Sequence, residues 1–176
     1  MKWRAWSVVL ALALSLMPQR SGIERDIDQR TLDAALALAN LTDSRFPVTL
    51  VSTVPPEASQ GIEAWTRFGT NGSAERVFVY TGSDIFRCAR WPLSMHQCLV
   101  RLASVLVHEA WHFEHGKNQA AAYDAQIAFL MANRATAEHI AAVRTARERV
   151  LALEQRAREA AIQRYAAEPA DSRQAP

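Results

Sequence analysis

The residues most able to do chemistry lie together in Val107 to Gln126, VHEAWHFEHGKNQAAAYDAQ. At their centre is His108-Glu109-Ala110-Trp111-His112, an H-E-x-x-H string. On a helix, residues four apart stand on one face, one turn above the other. Two imidazoles so placed reach a single tetrahedral metal ion, and Zn²⁺ favours nitrogen ligands at about 2.0–2.1 Å. Glu109 follows the first histidine and projects beside such an ion, where a general base for an activated water belongs. Zn²⁺ lowers the pKa of water to about 7, so a carboxylate there can draw a proton at neutral pH.

An H-E-x-x-H string by itself is short, and a surface helix could carry it without meaning. The helix around it argues otherwise. Ser94-x-x-Gln97 has the form of a capping box, and Pro92 favours a helix start nearby. Gly116 supplies a C-terminal stop. Between them Leu99, Leu102, Ala103, Leu106, Ala110 and Phe113 form one apolar stripe, and Val100, Val107 and Trp111 a second. A helix apolar over most of its circumference is expected to be buried. The remaining stripe holds Gln97, Arg101, Ser104, His108, His112 and His115. Buried polar groups need partners, and a metal satisfies two histidines at once.

After Gly116 a second helix is expected from about Asn118 to Met131. Positions 119, 123 and 126 fall on one face, so Gln119, Tyr123 and Gln126 look the same way. Gly116 lets the chain turn that face towards the histidines. Tyr123 could donate its hydroxyl to a developing oxyanion, or serve only as a half-buried aromatic. Asp124, the one carboxylate of this helix, lies about 100° from Tyr123. It reaches a shared ion only if the turn is set differently. His115 stands about 10 Å along the axis from His108, too far to share one ion with both other histidines.

The stretch resembles the zinc-dependent metallopeptidases called zincins. More narrowly, it is similar to a group of small bacterial proteins reading H-E-x-x-H, a glycine, then E-x-x-A-Y-x-x-Q. The matching residues are His108, Glu109, His112, Gly116, Ala122, Tyr123 and Gln126, over about 20 positions. The resemblance implies His108 and His112 as zinc ligands, Glu109 as catalytic base, and a third ligand on the helix after Gly116. Where that group has glutamate this chain has Gln119, a neutral and weaker ligand. The third position is therefore open between Gln119 and Asp124.

The remaining segments frame this site. Met1 to about Arg20 reads as a signal peptide or N-terminal anchor: Lys2 and Arg4 lead an apolar run, Val8 to Met17, shorter than the ~20 residues that span a bilayer. The rest is expected to be exported, with a membrane met only through that segment. The chain has 20 Lys+Arg and 18 Asp+Glu. Lys2, Arg4 and Arg20 belong to the leader, so the remainder is nearly neutral. No basic patch with interleaved aromatics suggests nucleic acid. Cys88 and Cys98, the two cysteines, suggest a disulfide in an exported chain.

Ile23 to Leu41 reads as a packing helix, with Ile27, Leu32, Ala35, Leu36 and Ala39 on one face. Phe46 to Val54 is β-rich and stopped by Pro55-Pro56; Gly61 to Gly69 is either a short strand or a turn of helix; Asn71-Gly72 marks a turn. Arg76 to Thr81, RVFVYT, is the clearest strand, and by the zincin resemblance it is a candidate for the strand that edges the cleft. An ordinary core strand is the alternative. Thr136 to about Ala167 is expected to be one amphipathic helix whose weak heptad seam is Val143, Ala146, Val150, Leu153, Ala157 and Ala160. It packs on the domain or on another copy. Glu168 to Pro176 is polar and expected to be disordered.

The expected architecture is thus α+β, mainly α: one zincin-like domain over residues 22–135 with a buried H-E-x-x-H helix and a small sheet, a long C-terminal helix at 136–167, and a tail at 168–176. The expected function is zinc-dependent hydrolysis of a peptide or protein substrate. The alternative is a non-catalytic metal-binding or interaction module of protease-like fold, which Gln119 favours and Glu109 opposes.

Overall fold

The computed structural model describes residues 22–42, 46–56, 61–91 and 95–167. The expected leader, the cap at Pro92 and Ser94, and the tail lie outside the described residues. The elements follow in the order α1 (Gly22–Leu38), β1 (Val48–Val51), β2 (Ala64–Phe68), β3 (Ala74–Tyr80), α2 (Asp84–Ala89), α3 (Met95–His115), α4 (Gln119–Ala132) and α5 (Ala137–Ala167). This is a mainly helical α+β fold with a small sheet and a long C-terminal helix.

Helix α3 is the axis of the molecule. Val100, Leu102, Ala103, Val105 and Leu106 are buried along it, and so are Ser104, His108, Glu109 and His112. The other elements pack around it: α1, α2 and the sheet on its apolar stripes, α4 on its polar one. The burial of α1 is set by Asp28, Thr31, Leu32 and Ala35, an i, i+3, i+4, i+7 face. That face is turned slightly from the sequence expectation. Ile27 stays partly exposed, while Asp28 goes inside and meets Arg90 at 3.0 Å. A carboxylate can be buried there because its charge is matched.

The sheet has the order β1-β3-β2, with β1 parallel and β2 antiparallel to β3. RVFVYT therefore forms the central strand, hydrogen-bonded on both sides, and the expectation that it edges the cleft is corrected. Its buried Val77 and Val79, with no polar atom in the side chain, explain why it takes the middle. The edge beside α3 is β2, the segment that periodicity left undecided. Its Ala64, Thr66 and Phe68 share one face, and Trp65 stacks on Phe78 across the other at 5.3 Å. The β2–β3 hairpin turns where Asn71-Gly72 suggests. Gly72 has φ +79°, and the Asn71 side chain accepts a hydrogen bond from the Ser73 N–H at 3.0 Å.

Two devices fix the ends of α3. Cys88 and Cys98 are disulfide-bonded, tying its first turns to α2. At the other end Gly116, with φ +83°, takes the left-handed conformation that closes the helix. Asn118 then caps α4, accepting from the Ala121 N–H at 3.1 Å. Helix α5 packs on α4, where Arg147 meets Asp124 at 2.6 Å. Its heptad seam divides: Val143, Ala146 and Val150 are half-buried, whereas Leu153, Ala157 and Ala160 are exposed. Among the described residues no helix is long and apolar enough to cross a membrane.

The disulfide closes a loop of 10 residues' separation. Loss of that restraint is worth about 2–3 kcal/mol in the chain-entropy account. A Cys88→Ser/Cys98→Ser variant is therefore expected to melt roughly 5–10 °C below the oxidised protein. Thermal unfolding followed by far-UV circular dichroism checks this; equal melting points would show that the crosslink constrains nothing.

Candidate metal and catalytic site

The site is built between α3, β2 and α4. The hairpin α3–Gly116–α4 brings two polar stripes together in reverse order. Gln126 Nε2 donates to Ser104 Oγ at 3.2 Å, and Gln119 Oε1 lies 3.1 Å from His108 Nε2. The Tyr123 ring sits between these levels, edge to face with His108 at 4.5 Å. On the opposite side β2 runs in the same sense as α3. Thr66 Oγ1 donates to Glu109 Oε2 at 2.6 Å, and Phe68 packs edge-on against His112 at 5.9 Å.

The histidine tautomers follow from their partners. His112 Nδ1 is 2.6 Å from the Gly116 carbonyl oxygen. A carbonyl only accepts, so Nδ1 carries the proton and donates, and Nε2 keeps its lone pair. His112 is 2 % exposed, and its Nε2 has no hydrogen-bond partner among the described residues. A buried lone pair without a donor is costly unless something occupies it. His108 is held differently, through Nε2 to Gln119, while its Nδ1 is buried without a partner. Burial, then the neighbouring His112, lowers the His108 pKa to about 4, although its side-chain hydrogen bonding with Gln119, whose Oε1 accepts, and with Gln126 pushes it back up. Near pH 7 this imidazole is neutral, as a metal ligand must be.

These atoms fit a metal ion. The rings of His108 and His112 are neighbours, 5.1 Å apart and edge to face at 75°. Two donors on one tetrahedral Zn²⁺ lie about 3.3 Å from each other, given bonds of about 2.0–2.1 Å. His108 Nε2 donates to Gln119 Oε1 at 3.1 Å, a separation close to that spacing, so a metal ion would take the place of the shared proton. His108, His112 and Gln119 could together hold the ion. Among the described residues no group of three or more His, Cys, Asp or Glu side chains is placed to hold a metal ion.

Glu109 is buried beside the histidines. Desolvation raises its carboxyl pKa, and the Thr66 hydroxyl and the field of His112 act against that rise. The Tyr123 hydroxyl is pushed up as well, by burial first and then by the charges of Glu109 and Glu63. It stays a donor over the working pH range.

Asp124 is not brought to this group. It is exposed on the far flank of α4, paired with Arg147, about 100° around the helix from Tyr123. Trp111 and His115 stack on each other at 4.7 Å, and His115 is exposed. Two residues of the site had no local signal. Thr66 and Glu63 lie more than 40 positions before Glu109, in a segment whose strand character was undecided; only the alternation of Ala64, Thr66 and Phe68 hinted at it. Glu63 lines a cavity of about 440 Å³ together with His108, Glu109 and Tyr123. Burial lifts its carboxyl pKa from 4.5 to about 7, with the Arg101 guanidinium pulling it down and Asp84 pushing it up.

A carboxyl group whose pKa is higher in the folded chain binds its proton more tightly there. The folded state therefore loses stability as pH rises from about 4.5, the unfolded value, to about 7. Glu63→Gln, which cannot ionise, is expected to match the parent near pH 4.5 and to exceed it at pH 8 by on the order of 1–3 kcal/mol. Urea unfolding of chelator-treated protein at both pH values measures the difference. A stability gap that does not grow with pH would mean that Glu63 ionises freely.

Comparison with protein-family models, curated proteins and solved structures returns no match to this chain.

Proposed function

We propose that this chain is a zinc-dependent hydrolase of peptide bonds, exported from its cell. One observation carries the reading: His112 is fixed by the Gly116 carbonyl so that a buried, unpartnered Nε2 lone pair stands beside neutral His108 and a buried Glu109. A structural helix has no use for that arrangement. The resemblance of the H-E-x-x-H stretch to zincins points the same way, and the Cys88–Cys98 disulfide is compatible with an oxidising compartment.

His108, His112 and Gln119 would hold Zn²⁺, which as a Lewis acid would polarise the scissile carbonyl and acidify the attacking water. The chain's own residues handle the protons. The Glu109 carboxylate takes a proton from the water as its oxygen attacks the carbonyl carbon. Its buried setting raises its basicity, which suits proton transfer near neutral pH. Thr66 keeps one Glu109 oxygen engaged and so holds the carboxylate in place. The same carboxyl then gives the proton to the departing amine nitrogen as the C–N bond breaks. The Tyr123 hydroxyl, on the flank of His108, donates to the carbonyl oxygen as negative charge develops there. The exposed edge of β2 lies alongside, where an extended peptide could add as a further strand.

A second reading, a metal-binding module without catalysis, is favoured by Gln119. With an amide in place of a carboxylate the net charge at the ion stays near +2, and the ion is held less tightly.

Purified protein is expected to bind about one Zn²⁺ per chain, and His112→Ala to abolish binding. Gln119→Glu is expected to tighten zinc measurably in competition with a chelator, and Asp124→Ala to change it little. Equal metal content in parent and His112→Ala would remove the site. Glu109→Gln is expected to keep the metal but lower kcat about 100-fold or more against a peptide library. Cleavage unaffected by Glu109→Gln would remove the mechanism, and zinc binding with no cleavage by the parent would establish the second reading.

A further inference from the structure

The cavity beside the histidines contains a charged group that the hydrolytic chemistry leaves unused. Arg101 lies on the same stripe of α3 as His108, two turns earlier and about 10 Å away along the axis. It is half-buried, and its guanidinium makes no ion pair or side-chain hydrogen bond with the described residues. Glu63 faces the same space from the lead-in to β2, yet the two side chains do not pair. The pull of Arg101 fails to bring Glu63 back to its ordinary range, so near pH 7 Glu63 is only partly charged and offsets Arg101 incompletely. His139 of α5, on the same cavity, is held below its usual pKa by burial and then by Arg101, with Glu138 acting the other way; Glu109 and Tyr123 line the cavity at the level of His108. Asp84 is exposed and paired with Arg87. The far wall is made by α5 through Ala142 and Ala146, small residues that leave room.

A cavity of about 440 Å³ lined by the candidate base and by a half-buried arginine that forms no ion pair with the described residues suits an anionic part of the substrate. A guanidinium offers a planar fork of donors that matches a carboxylate in two parallel hydrogen bonds. Extended peptide covers about 3.3–3.6 Å per residue, so the separation from His108 corresponds to two or three residues.

We propose that this cavity is a substrate subsite in which Arg101 binds a carboxylate lying within two or three residues of the bond that is cut. The carboxylate is either the peptide's own C-terminus or an acidic side chain. The assignment rests on the peptidase reading, and it makes the enzyme selective for short acidic or C-terminal segments.

Three matched series of fluorogenic peptides test it with the zinc-loaded full chain. One series ends in a free carboxylate, one in an amide, and one in an amide with glutamate two residues after the labelled bond. The parent is expected to favour at least one carboxylate-bearing series over the plain amide by about tenfold or more in kcat/KM, as charge-assisted hydrogen bonds imply. Preference for the free-acid series alone assigns the C-terminus, preference for the glutamate series alone assigns the side chain, and equal preference for both shows that Arg101 accepts either carboxylate. In Arg101→Gln the ratio is expected to fall close to one, and in Arg101→Lys to recover in part. Circular dichroism and zinc content establish that these variants are folded. Equal kcat/KM across the three series, or a preference that survives Arg101→Gln, overturns the proposal.

Binding separates this outcome from a failure of the peptidase reading. Calorimetric titration of the same peptides into Glu109→Gln, with and without Arg101→Gln, needs no turnover. About tenfold tighter binding of the carboxylate series, lost with Arg101→Gln, supports the subsite even if no peptide is cleaved. Absence of any such discrimination overturns it even if the parent proves to be a peptidase.

Discussion

Polar side chains buried along the middle of a helix cannot turn to the solvent, and that constraint governs this molecule. Ser104, His108, Glu109 and His112 are buried on α3 beside the apolar residues that pack on α1, α2 and the sheet. Each of them has to find a partner inside the protein. The partners come from both sides: Gln119 and Gln126 of α4, Thr66 of β2, and the Gly116 carbonyl at the end of α3 itself. Most of the fold's irregular features serve this placement. The left-handed Gly116 reverses the chain closely enough for α4 to lie against the stripe, and its own carbonyl orients His112.

The partners are unequal. Glu109 and Ser104 are satisfied by hydroxyl and amide groups, whereas each histidine retains one buried nitrogen with no partner. An arrangement selected for stability alone would fill these positions with apolar residues, as at Leu102 and Leu106 on the same helix. At His112 the unpaired atom is Nε2, the open lone pair that chemistry would need; at His108 it is Nδ1, while Nε2 is engaged by Gln119. The neighbouring cavity shows the same pattern, with Glu63 and Arg101 facing one space unpaired. Stability is offset at both points by the rigid surroundings: the disulfide at the head of α3, the Asp28–Arg90 pair, and the dry packing of Phe86, Leu102 and Leu106.

The edge position of β2 has a consequence for access. A strand hydrogen-bonded on one side only keeps backbone donors and acceptors on the other. In β2 that free edge is next to Thr66 and Phe68, the two residues in contact with Glu109 and His112. Arg67 of β2 is turned away from that edge: it lies over Phe78 of β3 at 5.6 Å and pairs with Glu75 of the same strand at 3.2 Å.

What the sequence determined by itself was local and periodic. The i, i+4 histidines, the stop at Gly116, the i, i+4, i+7 face of Gln119, Tyr123 and Gln126, the pairing of Cys88 with Cys98, and the length of the last helix all follow from 3.6-residue geometry or from a count of two cysteines. Tertiary structure decided what periodicity cannot encode. Strand order made RVFVYT central and gave the edge to Ala64–Phe68, because alternation states which face is buried but not which neighbour covers each edge. The rotation of α1 put Asp28 rather than Ile27 inside, since an arginine more than 60 positions away, Arg90, was there to meet it. Helical geometry turned Gln119 towards the histidines and let Asp124 reach them only with a different turn. The packing of α5 drew Asp124 to Arg147, and the tight turn at Gly116 left Gln119 against His108. Thr66 and Glu63 came beside His108 and Glu109 only when the sheet closed on α3, a relation between distant segments that no window of sequence contains.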